Sequence, residues 1–277
     1  MSDPAAEVPA AALPSAAPVD VFDWQLAALR MPEVVADLRR PADHTRLVMT
    51  VNVALMWMAA RDDRLGHIVQ DAAIRVADGM GVIWTWRALG RRLPERIAGI
   101  DLMVQLIDAA AADGRSIYLL GAQQHVIDQL RHVLLQRNPS LIIAGSRNGY
   151  FTDQEHHDVV SDVKRSGADL LFIGMPSPFK EVFAADHLDE FGADLVMGVG
   201  GSFDVISGFV PRARRCCNAP ASNGPGASPA SRVACGNATP SPTRGSHDSW
   251  SRGWSAGAVA GRTRPPDLSP QTVGQPV

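Results

Sequence analysis

The chain has 277 residues, 46% hydrophobic and 20% charged, which is enough to bury one sizeable core. A net charge of -3 and a pI near 6.2 exclude a global attraction to nucleic acid, leaving local basic clusters such as Arg91–Arg92 and Arg212 with Arg214 and Arg215 to meet phosphates. Cys216, Cys217 and Cys235 all lie beyond residue 215, so the body of the chain carries neither a disulfide framework nor a cysteine zinc site.

Residues 1–18 are rich in Ala and Pro and lack the basic start and unbroken apolar run of a signal peptide, which predicts a disordered leader on a cytoplasmic protein. No segment reaches the roughly 18 consecutive apolar residues that a membrane-spanning helix needs. From Val19 onward, short apolar runs alternate with helix-period segments. RLVMTVN precedes VALMWMAARDDRLGHIVQDA, IRVAD precedes GMGVIWTWRALG, and SIYLL precedes QHVIDQLRHVLLQR. LIIAGS then precedes DQEHHDVVSDVKRSG, DLLFIGM precedes PFKEVFAADHLDEFG, and DLVMGVGG closes the series. Strands apolar throughout predict an α/β fold, a Rossmann-like, mostly parallel sheet with helices on both faces. Such sheets bind ligands at the carboxyl ends of their strands.

The residues at those ends are small, polar or glycine: Thr50 and Asn52, Asp78, Gly121, Gly149 with Tyr150, Met175 to Glu181, and Gly198 to Asp204. Each glycine alone could simply turn the chain, but together they predict a ligand edge. GVGGSF lacks the third glycine of a dinucleotide fingerprint and sits at the last strand, which argues against a nicotinamide cofactor and an oxidoreductase. Its backbone N–H groups could instead receive a diphosphate. Asp78 reads either as a general base with a burial-raised pKa or as the N-cap of the helix that follows. Arg96 reads as a phosphate fork or as a surface partner of Glu95 or Asp101. His156 and His157 are adjacent on a polar helix and read as a solvated face, while Trp57, Trp84 and Trp86 read as core.

Taken in order, TVN at residues 50–52, ADG at 77–79, ERIAGIDL at 95–102, YLLG at 118–121, NGYF at 148–151 and GVGGSFDVISG at 198–208 resemble the WecG/TagA/CpsF family of bacterial glycosyltransferases. The resemblance implies transfer of a sugar from a UDP-sugar to a polyprenyl-diphosphate-linked saccharide in exopolysaccharide or cell-surface polysaccharide synthesis, with inversion and without a cofactor or metal. It implies an enzyme peripheral to the inner face of the cell membrane, without a nucleic-acid partner, and it leaves room for a homo-oligomer. By resemblance Asp78 would deprotonate the acceptor hydroxyl, Thr50 and Asn52 would hold the sugar or position that base, and Arg96 would bind phosphate. Gly99, Gly121, Tyr150 and Glu181 would join the substrate site, and Gly200, Gly201, Phe203 and Asp204 would line the nucleotide pocket. Where the family most often has P-K-Q-E, this chain reads Pro178, Phe179, Lys180, Glu181. Lys180 would contact phosphate and resembles the glucosyltransferase branch more than the N-acetylmannosamine branch.

The glycosyltransferase domain is expected over 19–213. Beyond Arg215 the chain contains no Lys, Glu, Phe, Ile, Met or Tyr and one Leu, Leu268, which predicts a disordered tail over 214–277. Read with the last base of each codon joined to the first two of the next, the tail permits Q-R-A-G-L-E-W from Cys217 and E-P-R-R-L-W-K-R-Y from Ala230. Both strings resemble the family's basic C-terminal appendage. The expectation is a frameshift near Ala213 to Cys216, which would leave either an impaired, nucleotide-binding relative or a corrupted reading of an active enzyme.

Overall fold

A computed structural model describes residues 19–21, 24–40 and 42–212. The leader assigned to 1–18 and the tail assigned to 214–277 lie outside the described residues. The chain opens with an antiparallel hairpin, β1 (Val19–Val21) and β2 (Trp24–Leu26), followed by helix α1 (Met31–Leu38). Pro32 lies in the first turn of α1, and the Glu33 carboxylate reaches back to accept the Arg30 N–H at 2.7 Å. Strand β3 (Arg46–Val51) leads into α2 (Val53–Ala59) and α3 (Asp63–Asp71), where periodicity had suggested one continuous helix. The break falls where the Asp62 carboxylate accepts the Leu65 N–H at 3.2 Å, a cap that starts a new helix.

Strand β4 (Ile74–Ala77), helix α4 (Met80–Ala88) and helix α5 (Gly99–Asp113) follow. Helix α5 begins inside the ERIAGIDL motif, and the sequence reading omitted it. It buries Leu102, Met103, Leu106, Ile107 and Ala110, a 3–4 spacing, and ends at Gly114 with φ +68°. The remaining units are β5 (Ser116–Gly121), α6 (Gln124–Arg137), β6 (Ile142–Arg147), α7 (His156–Ser166), β7 (Leu170–Gly174), α8 (Phe179–Asp186), β8 (Leu195–Gly198) and the short α9 (Ser202–Ile206).

The six strands β3 to β8 form one parallel sheet in the order β4-β3-β8-β7-β5-β6, so the expected α/β class holds. Every residue of β7 and β8 is buried, as a parallel sheet covered on both faces requires. One apolar cluster joins α1, α5, α6 and Phe203 of α9 to one face. A second joins α2, α3, α4 and β2 to Val51 and Ala77 on the other. The chain leaves β5 toward β6 and leaves β7 toward β8, in opposite directions along the sheet. The crevice between β5 and β7 is therefore a switch point, where such sheets open for ligands.

Candidate active site

Asp78 follows β4 directly, and its N–H extends the ladder to the Val51 carbonyl at 2.7 Å. The irregular segment after α4 returns to the same strand, where Ile97 N–H donates to the Ala77 carbonyl at 2.9 Å. That return sets the start of α5 against the carboxylate: Gly99 N–H donates to Asp78 Oδ2 at 3.1 Å. Asp78 therefore does not cap α4, whose N-cap is Gly79 at φ +107° with no side-chain bond; its carboxylate accepts the first N–H of α5 instead. A Cβ on Gly99 would lie 3.1 Å from Thr50 Cγ2 and 3.3 Å from Asp78 Oδ2, so Thr50, Asp78 and Gly99 form one contact group.

Burial is the largest influence on Asp78 and raises its pKa above the ordinary 3.8; the Gly99 hydrogen bond and the nearby Arg96 pull it back, and Asp101 raises it. Arg96 is half-buried beside this carboxylate. Nearby, Glu95 accepts the Met31 N–H at 2.5 Å, and Asp101 bonds Arg212 at 2.5 Å. Asn52, two residues beyond Thr50, is exposed and caps α2 by accepting the Leu55 N–H at 2.9 Å. The structure gives Asn52 a capping role and leaves any sugar contact as an inference.

A second group lies where β7 and β8 end. Lys180 and Glu181 are 8% and 3% exposed, and their buried pair is closed by Ser177. The Lys180 ammonium donates to Glu181 Oε1 and to Ser177 Oγ, and Ser177 Oγ–H lies 2.8 Å from the same Oε1. The lysine stem crosses the backbone of Gly198, where a Cβ would stand 3.1 Å from Lys180 Cε. The expectation of an ammonium offered to phosphate is therefore corrected: the charge is turned inward because Glu181 would otherwise be a buried, unpaired carboxylate. Sequence reasoning held Ser177 only within the span Met175 to Glu181 and gave it no role of its own. Its place four residues before Glu181 was the available signal.

The third group is built from backbone. A Cβ on Gly121, at φ +135°, would fall 2.5 Å from the Gly174 carbonyl, and one on Gly149 would fall 2.8 Å from Gly121 Cα. Ala122 N–H donates to the Gly174 carbonyl and Gly149 N–H to the Ala122 carbonyl, each at 3.0 Å. Three strand ends thus meet with no room for side chains. Tyr150 extends from this junction, 38% exposed, its hydroxyl 3.3 Å from Gln123 Nε2.

Gly200, at φ +51°, and Gly201 carry the chain from β8 into α9, and a Cβ on Gly200 would come 3.9 Å from the Met175 carbonyl oxygen, which ties this loop to the β7 end. Phe203 is fully buried and packs on Gly174, so its ring supports the loop from below and does not line a pocket, as the sequence reading had it. Asp204 is half-buried, and burial again raises its carboxyl above the ordinary value.

Two other readings change. Trp86 is core, but Trp57 and Trp84 are each 59% exposed. His157 is exposed as expected, whereas His156 packs among Phe151, Phe179, Phe183 and His187, and burial lowers its pKa. Among the described residues no group of three or more His, Cys, Asp or Glu side chains is placed to hold a metal ion.

Comparison with known proteins adds to this geometry. Residues 19–218 match the glycosyl transferase WecG/TagA/CpsF family. An N-acetylglucosaminyldiphosphoundecaprenol N-acetyl-beta-D-mannosaminyltransferase of Bacillus spizizenii is 32% identical over 166 residues, 60% of this chain and 64% of the relative. A protein of the same name from Staphylococcus aureus is 32% identical over 166 residues, 65% of its own length. The matched segment spans just under two thirds of each of these relatives.

Proposed function

The chain belongs to the WecG/TagA/CpsF family of glycosyl transferases, and from that premise we propose that it moves a sugar from a UDP-sugar to a polyprenyl-diphosphate-linked saccharide, with inversion at the transferred carbon. The observation that carries the reading is Asp78: a carboxylate at the ligand edge of the sheet, made more basic by burial and held by Gly99 N–H at 3.1 Å. Asp78 takes the proton from the acceptor hydroxyl as that oxygen bonds to the anomeric carbon. The bond from that carbon to the diphosphate breaks, and its electrons leave with the UDP.

Arg96 is the nearby cation suited to the departing diphosphate, whose charge grows in the transition state. Thr50 and the same carboxylate both border Gly99, which places the threonine at the base's side of the site. The Gly198–Gly201 loop, with the Gly121–Gly149–Gly174 junction beneath the crevice, forms the nucleotide side of the site. No helix among the described residues is long and apolar enough to cross a membrane.

The test is transfer of labelled sugar by the full chain to a polyprenyl-diphosphate acceptor. UDP-N-acetylmannosamine follows from the relatives' names and UDP-glucose from Lys180. Asp78→Asn should lower kcat by about 10²–10⁴-fold while UDP binding, read by calorimetry, persists. UDP binding with no turnover in the parent chain would instead mark a nucleotide-binding relative. Turnover that survives Asp78→Asn would sink the assignment of the base.

A further inference from the structure

We propose that the outer faces of α2 and α4 form a membrane-docking patch that seats the protein on an anionic bilayer beside Asp78. The proposal deepens the reading above, because it rests on an acceptor held in lipid. Val53 in the first turn of α2 touches the start of α4, where a Cβ on Gly81 would fall 2.5 Å from Val53 Cγ2. One turn beyond that contact, each helix presents a tryptophan, Trp57 on α2 and Trp84 on α4, both 59% exposed. Val53 and Leu89 add exposed apolar surface at 53% and 55%. Isolated exposed apolar residues are ordinary, but two exposed tryptophans on adjoining helices are not.

The charges around the patch select the occupant. The Arg61 guanidinium lies 4.1 Å from the Trp57 ring centroid, a cation–π contact that leaves the arginine at the surface. Arg87, Arg91 and Arg92 are exposed at the end of α4 and in the segment after it. Exposed acids lie nearby as well, Asp62 and Asp63 at the start of α3 and Glu95 after α4, and the arginines at 61, 87, 91 and 92 outnumber them.

Arginines would face arginines if this patch met its own copy, whereas anionic lipid meets them with the opposite charge. Tryptophan at headgroup depth flanked by arginine is the composition of a bilayer interface. The placement fits too. Helix α4 starts two residues past Asp78, and Trp84 lies four residues into it, about 6 Å of helix rise from Met80. A bilayer meeting the tryptophans therefore holds a diphosphate-linked sugar, which stands above the lipid surface, close to the base.

The test is co-sedimentation of the full chain with vesicles of phosphatidylglycerol and phosphatidylcholine in equal parts, and with phosphatidylcholine alone. The parent chain should bind the anionic vesicles. The double variant W57A/W84A should lose roughly tenfold or more of that partitioning. R87Q/R91Q/R92Q should lose about fivefold per arginine on anionic vesicles and little on neutral ones. All the substituted side chains are exposed, and unchanged thermal unfolding would show the variants folded.

A parent chain that binds no vesicle, or a W57A/W84A variant that binds as the parent does, overturns the proposal. So does a W57A/W84A variant that turns a dimer into a monomer with partitioning unmoved, because the patch is then an interface between copies. None of these readouts needs turnover. Failed docking with intact transfer to a detergent-dispersed acceptor removes only the patch, and intact docking without transfer supports the patch while removing the proposed activity.

Discussion

Asp78 couples rate and stability in opposite senses. Its carboxyl holds a proton to higher pH in the folded protein than in the unfolded chain, because burial disfavours the anion. Between those two pKa values the folded state carries the extra proton. Stability therefore falls as pH rises through that window and levels off above it, where activity needs the anion. Asp78→Asn keeps an oxygen for the Gly99 N–H but removes the buried charge. We expect the variant to lose turnover while its melting temperature at neutral pH equals or exceeds the parent's, and its stability to depend less on pH at the acidic end.

Arg96→Gln removes a cation that lowers the same pKa, so the acidic limb of the rate profile should move to higher pH as well as lose height. Gly99→Ala puts a methyl 3.1 Å from Thr50 Cγ2 and 3.3 Å from Asp78 Oδ2, contacts tight enough to displace the base. Since small misplacements of reacting groups cost up to about 10²-fold, kcat should fall more than tenfold with little change in the urea midpoint. In the Lys180–Glu181 pair, Glu181→Ala strands a buried ammonium and should cost about 3–5 kcal/mol in urea unfolding. Lys180→Gln keeps a donor for Glu181 and should cost less.

Among elements, the strand ends behave as a unit. Gly121→Ala forces a methyl to within 2.5 Å of the Gly174 carbonyl at φ +135°, where neither backbone can retreat without moving β5 or β7. A loss above about 3 kcal/mol is expected, since overpacking alone costs about 1–3 kcal/mol. The strands of the parallel sheet were legible in the sequence because most are short, largely apolar runs that end in small or polar residues, a signal that is local, whereas the β1–β2 hairpin was not read. Asp78 and the glycine loops were legible for the same reason, at the ends of those runs. Helix α5 was obscured because its first residues belong to a motif that reads as a loop. The hydrogen bond from the start of α5 to Asp78, the inward turn of Lys180 and the exposure of Trp57 and Trp84 were not legible at all. Each depends on what another element brings to within bonding distance, and periodicity along one segment carries no such information.

For the whole molecule, the family match runs from residue 19 to 218, and the frameshift expected from the sequence would fall near Ala213 to Cys216. That coincidence can be tested directly. A version with the frame restored after Ala213 should transfer sugar faster than the chain as it stands if the appendage that the family resemblance implies supplies basic groups to the site. Equal rates in the two versions would show the appendage to be dispensable. The vesicle measurement separates the contribution of α2 and α4 from any made by the restored segment, because W57A/W84A can be built into both versions.

The two margins of the sheet differ in whether they can be extended. Along β4, Ala27 N–H takes the Arg75 carbonyl at 2.8 Å and Ile97 N–H takes the Ala77 carbonyl at 2.9 Å, so loops already occupy the positions a foreign strand would need. Arg75 itself bonds the carbonyls of Gln25, Val69, Gln70 and Ala72, fastening the hairpin and α3 over that margin. Strand β6 forms the opposite margin, with Ile142 49% exposed at its entrance and no further strand beside it among the described residues. Unwanted strand-to-strand aggregation on heating or at high concentration is thereby confined to one side of the molecule, and a single charged residue in place of Ile142 should suppress it.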